Sequence, residues 1–416
     1  MSTFRMSEFR SRPAPVTERG PDRPGPAAQA DPRESMRVLP SVLALPLTLL
    51  TGKPLAGQRP LRLSPTVHLA GAVGSLGTGL TLSTHGTRAG GAALLLLLPG
   101  WVVTLHGMRN LRMMIYHQCS HRNLYRRRRL DATLGRLVAA LLLVQGFTEY
   151  RREHVTEHHA AHHMTLRDPT VQAFLVSLAL RPGMTRQQMW RRVLGKLTSP
   201  VFHLRFSVSR LHAFVHGSSR GERAAAAVLY AAAGTVATVT GGWALLLTVW
   251  VCPLGPLFQV SNTLRLCVKH TFPAPSAAPR RGAEYFGNLT NAVFLGEAVP
   301  VPGGRAPRRW AAWLRWTLRM LLIHAPARYL VVTGDTVCHD YHHRHPSSRQ
   351  WFNYIFARQR DVDAGHPGWP PYREVWGLVP AINAVFDSLS VADPAVYDRA
   401  KITTVSGRQL FAAFDD

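Results

Sequence analysis

The chain has 416 residues, 46% of them apolar, with 49 Lys and Arg against 23 Asp and Glu, a formal charge of +26. Its four cysteines (Cys119, Cys252, Cys267, Cys338) form no CxxC pair, which argues against a zinc ribbon or a disulfide scaffold. So basic a chain suits nucleic acid or an anionic membrane face, and the placement of the charge decides between them.

Met1–Arg37 is rich in Pro, Arg, Ser and Ala without apolar periodicity, and reads as a disordered tail. It has no early apolar run, so no secretory signal is expected. Val38–Gly52 holds no charge but has only 15 residues, too short to span comfortably, and is expected to be an interfacial or re-entrant helix. Charge-free runs follow at 63–87 and 89–108, and a third, of 41 residues, at 224–264. At 1.5 Å per residue, about 20 residues cross a hydrocarbon core of about 30 Å. The first two runs predict one span each and the third predicts two, turning at Gly241-Gly242.

Between these hairpins, residues 109–223 carry nineteen Arg and Lys196, while the outer turns carry only Arg88. Positive residues mark the cytoplasmic side, which puts this segment and both termini there; the expected location is a bacterial inner membrane. Leu137–Thr148 is expected to pack against the cytoplasmic end of the bundle. Arg126–Arg129 has no nucleic-acid-binding fold around it and is expected to meet lipid headgroups or water, so no nucleic-acid partner is predicted. His203, His212 and His216 mark an amphipathic interfacial helix, and His366-Pro-Gly-Trp369 a turn. The expected fold is an all-α integral membrane protein. Four transmembrane helices in two hairpins occupy residues 38–360, below a cytoplasmic helical cap, and a cytoplasmic extension covers 361–416.

Histidines gather in three clusters: His117-Gln-Cys-Ser-His121, His154-Val-Thr-Glu-His158-His159 with His162-His163 beyond, and His339-Asp-Tyr-His342-His343. Spacings of three or four place imidazoles on one helical face, and imidazole is the commonest metal ligand. All three clusters fall just past predicted spans, on the cytoplasmic side. Structural zinc uses four ligands, so this set exceeds what one zinc needs, and imidazole alone does not choose among iron, zinc, copper and nickel.

The order HxxxH, HxxHH-like, HxxHH resembles the membrane fatty acid desaturase and hydroxylase family, from about residue 60 to residue 360. The resemblance implies a non-haem di-iron centre that activates O2 and removes two hydrogens from an acyl chain. Electrons would come from a separate ferredoxin or cytochrome b5. Two registers fit the second box, His154/His158/His159 and His159/His162/His163. Relatives follow the HH pair with Ala and then Asp-Pro, as Ala160 and Asp168-Pro169 do after His158-His159, and Arg151-Arg152-Glu153-His154 resembles their lead-in; the first register is preferred. A further ligand is expected at His270. Relatives often place Glu before it, where this chain has Lys269, and some place a water-binding Asn four residues earlier, where this chain has Leu266; Asn262 is a distant substitute. The implied metal ligands are His117, His121, His154, His158, His159, His270, His339, His342 and His343. Glu157, Asp335 and Asp340 are expected to accept the outer N–H of ligating histidines.

The leading expectation is an O2-dependent di-iron desaturase of a fatty-acyl or lipid-like chain. Two alternatives stay open: a hydroxylase or ketolase on the same scaffold, and a non-enzymatic membrane protein that binds or senses metal.

Overall fold

The computed structural model describes residues 31–275, 282–301 and 306–402. Most of the tail expected over 1–37 lies outside these, but Pro32–Ser35 is helical and Arg33 is fully buried. Its guanidinium donates to the carbonyls of Ala44 (2.7 Å) and Lys53 (2.9 Å) and to Thr48 Oγ1 (2.9 Å). It thereby pins the short apolar helix α1 (Ser41–Thr51) to the body.

Helix α2 (Pro65–Ala89) starts where the Ser64 side chain accepts from Val67 N, with Pro65 at its first position. Gly90 and Gly91, both at positive φ, turn the chain back into α3 (Gly91–Ser120). Small residues let the two backbones touch: Gly79 faces Thr104, Ser83 faces Gly100 and Gly107 faces Leu76. A Cβ on Gly107 would lie 2.5 Å from the backbone nitrogen of Leu76. Such small-residue contacts replace the hydrophobic drive that lipid cannot supply between helices.

Beyond α3, helices α4 (Arg128–Leu142) and α5 (Phe147–His159) meet at 115°. The apolar stretch Leu137–Thr148 makes that corner, with Leu143 at φ 50°. Helix α6 (Pro200–Gly217) carries His203, His212 and His216 and exposes Val201, Leu204, Val208 and Leu211 along one side. Helix α7 (Arg220–Val239) opens with a Ser219–Glu222 capping box, and the chain turns just past its end at Gly241, where φ is positive. It leads into α8 (Trp243–Lys269).

Among the described residues two helices, α3 and α8, are long and apolar enough to cross a membrane, or three if the bent pair α4–α5 is one span. Their partners are less apolar for visible reasons: α2 is diluted by Gly, Ser and Thr, and the first turns of α7 carry Arg220, Glu222 and Arg223. Leu95 and Leu98 of α3, Val236 and Val239 of α7, and Leu247 of α8 all point outward. Helix α9 (Ala306–Arg319) has no buried residue and shows Trp310 and Leu314 beside Arg308, Arg309 and Arg315. Apolar stripes this long are rare on monomers that face only water.

The chain closes over the end away from the two turns. Strand β1 (Ala292–Phe294) pairs in parallel with β2 (Glu374–Trp376), Ala292 opposite Glu374 and Phe294 opposite Trp376. Between them in sequence come α10 (His339–Arg344) and α11 (Tyr354–Asp363), and after them α12 (Leu378–Ser390). Residues past 360 are seated on the core: Ser388 Oγ accepts from Phe272 N at 2.9 Å, and Tyr397 Oη donates to the Met164 carbonyl at 2.7 Å. His366 sits in a turn, its Nδ1 2.8 Å from the Trp369 carbonyl.

Candidate metal centre

Both long apolar helices deliver histidine at the same end. Helix α3 runs from its glycine turn through a π-helical segment, Leu111–Tyr116, to His117, with His121 one turn later. Helix α8 ends at Lys269, and His270 follows in extended conformation, bridged to Thr290. The second cluster lies in another π-helical segment, Arg152–Ala161. Hydrogen bonds there run from i to i+5, a wider turn than the α-helix, which brings the fifth residue as well as the fourth near the face of the first. His159 is thus set beside His154, ring centroids 4.6 Å apart, while the ligand atom of His158 joins other histidines. The third cluster is ordinary α-helix in α10, where His339 and His343 share a face and His342 does not.

Among the described residues these histidines make two adjoining groups of ligand atoms, and His158 also falls in a third group with His163 and Asp168. His117, His121, His154, His159 and His342 form one, and His158, His270, His339 and His343 the other. All nine histidines expected as ligands lie in one group or the other. Inside the first, Nε2 of His154 is 2.8 Å from Nε2 of His117 and 3.1 Å from that of His159, which is 3.0 Å from that of His342. Inside the second, the successive Nε2 separations are 3.1 Å (His158–His270), 3.2 Å (His270–His339) and 3.1 Å (His339–His343). The groups touch where His159 stacks on His343, centroids 4.3 Å apart.

These distances fit metal. Metal–nitrogen bonds of about 2.1 Å at right angles place neighbouring nitrogens about 3.0 Å apart. An imidazole nitrogen carries one proton or one lone pair, so chains of four facing nitrogens are satisfied poorly by each other and well by a cation. Burial first, and then the charge that protonating a neighbour would bring, hold His154, His159, His270, His342 and His343 well below the usual histidine range. The lone pairs therefore stay free at neutral pH. Neither group contains a carboxylate.

The surrounding groups depart from expectation. Asp335 does lie near a histidine, 3.7 Å from His117 Nδ1, and accepts from Gln118 Nε2 at 3.0 Å. Asp340 does not serve the histidines: both its oxygens take the guanidinium of Arg358 at 3.0–3.1 Å. Neighbouring residues of a helix project about 100° apart, so Asp340 turns away from the face that His339 and His343 share. Glu157 is also redirected, pairing with Arg152 five residues earlier on the outer face of the π segment. Asn262 accepts from Arg109 Nη1 at 2.6 Å and is turned to that guanidinium.

Two roles went unread in the sequence. Asp168, fully buried, lies 3.1 Å from His158 Nδ1 through both oxygens and accepts from Met164 N (2.7 Å) and Thr170 N (2.8 Å). Burial alone would raise its pKa, but the facing His158 and these donors pull it down to about 2. The anion orients His158 with Nε2 toward the metal group. The signal was present as the Asp-Pro that fixes the second-box register. His163 is buried against His158, while His162 is half-exposed outside both groups. On the other side Tyr150 stacks on His154 (5.2 Å, 9°), and the Arg112 guanidinium lies 4.1 Å from the Tyr150 ring.

Each of these adjacent all-imidazole groups could hold a metal ion. Residues 92–298 match the sequence profile of the family described as fatty acid desaturase. The match covers the first two histidine clusters and His270 and stops short of the third. No curated protein and no solved structure is significantly similar to the chain.

Proposed function

Because the chain belongs to the membrane fatty acid desaturase/hydroxylase family, we propose that it is a membrane-bound, non-haem di-iron oxidoreductase that uses O2 to desaturate a fatty-acyl or other lipid-like chain. The observation that carries this reading is the pair of adjoining imidazole groups, five and four strong, without a carboxylate among them. Two irons held there would supply, with O2, the capacity to take hydrogen from unactivated C–H bonds. His117, His121, His154, His159 and His342 would hold one, and His158, His270, His339 and His343 the other. Asp168 fixes the His158 ring, and Arg358 fixes α10 through Asp340.

A lipid-like substrate is supported by an apolar cavity of about 630 Å³ between α2, α7 and α8, lined by Leu76, Leu80, Leu229, Tyr230, Val236 and Trp250 among others. In this reading α2, α3, α7 and α8 are four spans in two hairpins, and the arginine-rich side, the metal centre and both termini face the cytoplasm of a bacterial cell. Electrons arrive from a separate ferredoxin or cytochrome b5-type protein, whose acidic surface the arginines steer in.

A second reading, a hydroxylase or ketolase, is favoured by one feature: it is His154, His158 and His159, the HxxxHH spacing more typical of hydroxylating relatives, that enter the two groups. Mass spectrometry of lipids from cells with and without the gene separates the two. Products two hydrogens lighter support desaturation, and products one oxygen heavier support the second reading. Unchanged lipids from cells whose purified protein holds iron and receives electrons count against both and favour a metal-binding protein without this activity.

A further inference from the structure

Helix α9 carries four arginines and no acidic residue, and none of its 14 residues is buried. Residues four apart share a helical face, so Trp310, Leu314 and Leu318 form one stripe. It points away from the protein: Trp310 is 69% exposed, Leu314 61% and Leu318 45%. Arg308, Arg315 and Arg319 fall together on the neighbouring face. Arg319 is held by the Glu297 carboxylate, and the Glu297 carbonyl accepts from Trp316 Nε1 at 3.0 Å, but Arg308, Arg309 and Arg315 are exposed.

The far end of the same helix fixes its level. The chain stays helical from Ala306 to Val331 and there packs on both long apolar helices. The Tyr329 carbonyl lies 2.9 Å from His106 Nδ1 of α3, and the Leu330 carbonyl accepts from Ser261 Oγ of α8. His106 stands eleven residues before His117, about 16 Å along α3 from the metal centre. That part of α3 would lie in lipid, and Leu321, Leu322 and Ile323, between it and α9, are exposed as well. Four arginines keep α9 itself out of the hydrocarbon core, and the Trp–Leu stripe keeps it out of bulk water. The headgroup level satisfies both. We propose that α9 is a lipid-binding helix lying in the leaflet nearer the metal centre, with Trp310, Leu314 and Leu318 among the acyl chains and Arg308, Arg309 and Arg315 on the phosphates of anionic phospholipid. Exposed guanidiniums without a carboxylate in the helix match a negatively charged headgroup layer better than a neutral one. The inference rests on the membrane reading above.

Single spin labels test it in the full-length protein, held in lipid nanodiscs of phosphatidylcholine with or without phosphatidylglycerol. Cys252 is first replaced by Ala, the other three cysteines being buried. Labels then go at Leu314→Cys, at Leu318→Cys as its repeat, at Ala312→Cys on the arginine side, and at Leu98→Cys on the exposed face of α3. Access of O2, which concentrates in lipid, is compared with access of a water-soluble nickel chelate. The oxygen-to-nickel ratio should be several-fold higher at the Leu314 and Leu318 positions than at Ala312, and phosphatidylglycerol should raise it further. Arg308→Gln, Arg309→Gln and Arg315→Gln together should abolish that further rise and leave the Leu98 label unchanged. Nickel access at the Leu314 and Leu318 positions, with Leu98 still in lipid, overturns the inference and leaves the membrane reading intact. Shielding from both reagents overturns it in favour of a second copy or another protein, and a ratio indifferent to phosphatidylglycerol overturns the anionic-lipid assignment. Nickel access at Leu98 overturns the membrane reading and this inference together.

Discussion

Changing Asp168 to Asn tests how the second metal group is held. The carboxylate accepts four short contacts, two from His158 Nδ1 at 3.1 Å and one each from the backbone nitrogens of Met164 and Thr170. Asn keeps the shape but only one accepting oxygen, and its NH2 must face a group that is itself a donor. Losing one hydrogen bond to a charged acceptor in a fully buried site costs about 1.5–3 kcal/mol. The metal-free variant should lose about that much stability. His158 would also lose the partner that fixes its tautomer, so the four-histidine group should bind metal ten- to a hundred-fold more weakly, equivalent to about 1.4–2.7 kcal/mol. Chelator competition followed by elemental analysis reads the second effect, and chemical denaturation of metal-free protein reads the first. An Asp168→Asn protein that retains both metals and full stability would refute the reasoning.

Three other outcomes are expected. His154→Ala should weaken the five-histidine group while His162→Ala leaves both metals in place, as elemental analysis would show; the reverse pattern would restore the alternative register. Gly107→Leu forces α3 away from the backbone of Leu76 and should cost about 1–3 kcal/mol in denaturation of the detergent-solubilised protein, whereas a neutral result would mean the helices are not in contact there. Metal-free protein should lose stability as pH falls below about 6.5. The unfolded histidines titrate near that value, but the folded ones are held well below it, so the unfolded chain binds more protons, and each such histidine contributes up to about 1.4 kcal/mol per pH unit. Denaturation curves from pH 7.5 to 5 would show it; a flat profile would contradict the burial of these rings.

Histidine spacing and charge-free runs carried most of what could be read in advance, because both reflect strong constraints: ligand chemistry and the cost of charge in lipid. The hidden part was geometric. Nothing in His154-Val-Thr-Glu-His158-His159 announces a π-helical segment, yet that wider turn brings His159 beside His154 in one group while His158 enters the other. Asp340 and Glu157 were assigned by adjacency to histidines, but side-chain direction gave them to Arg358 and Arg152. Asp168, ten residues from its histidine, was visible as a spacing marker and not as a partner. The sheet joining Ala292–Phe294 to Glu374–Trp376 is three residues long on each side, too short to stand out in the pattern.

Iron counted per chain in His342→Ala and His343→Ala, after dialysis against a chelator, bears most directly on the paired-site account. These neighbouring residues enter different groups. Wild type should hold two irons, and each variant one, with different spectra for the iron that remains. Two irons in both variants, or identical spectra for the iron left in each, would contradict it.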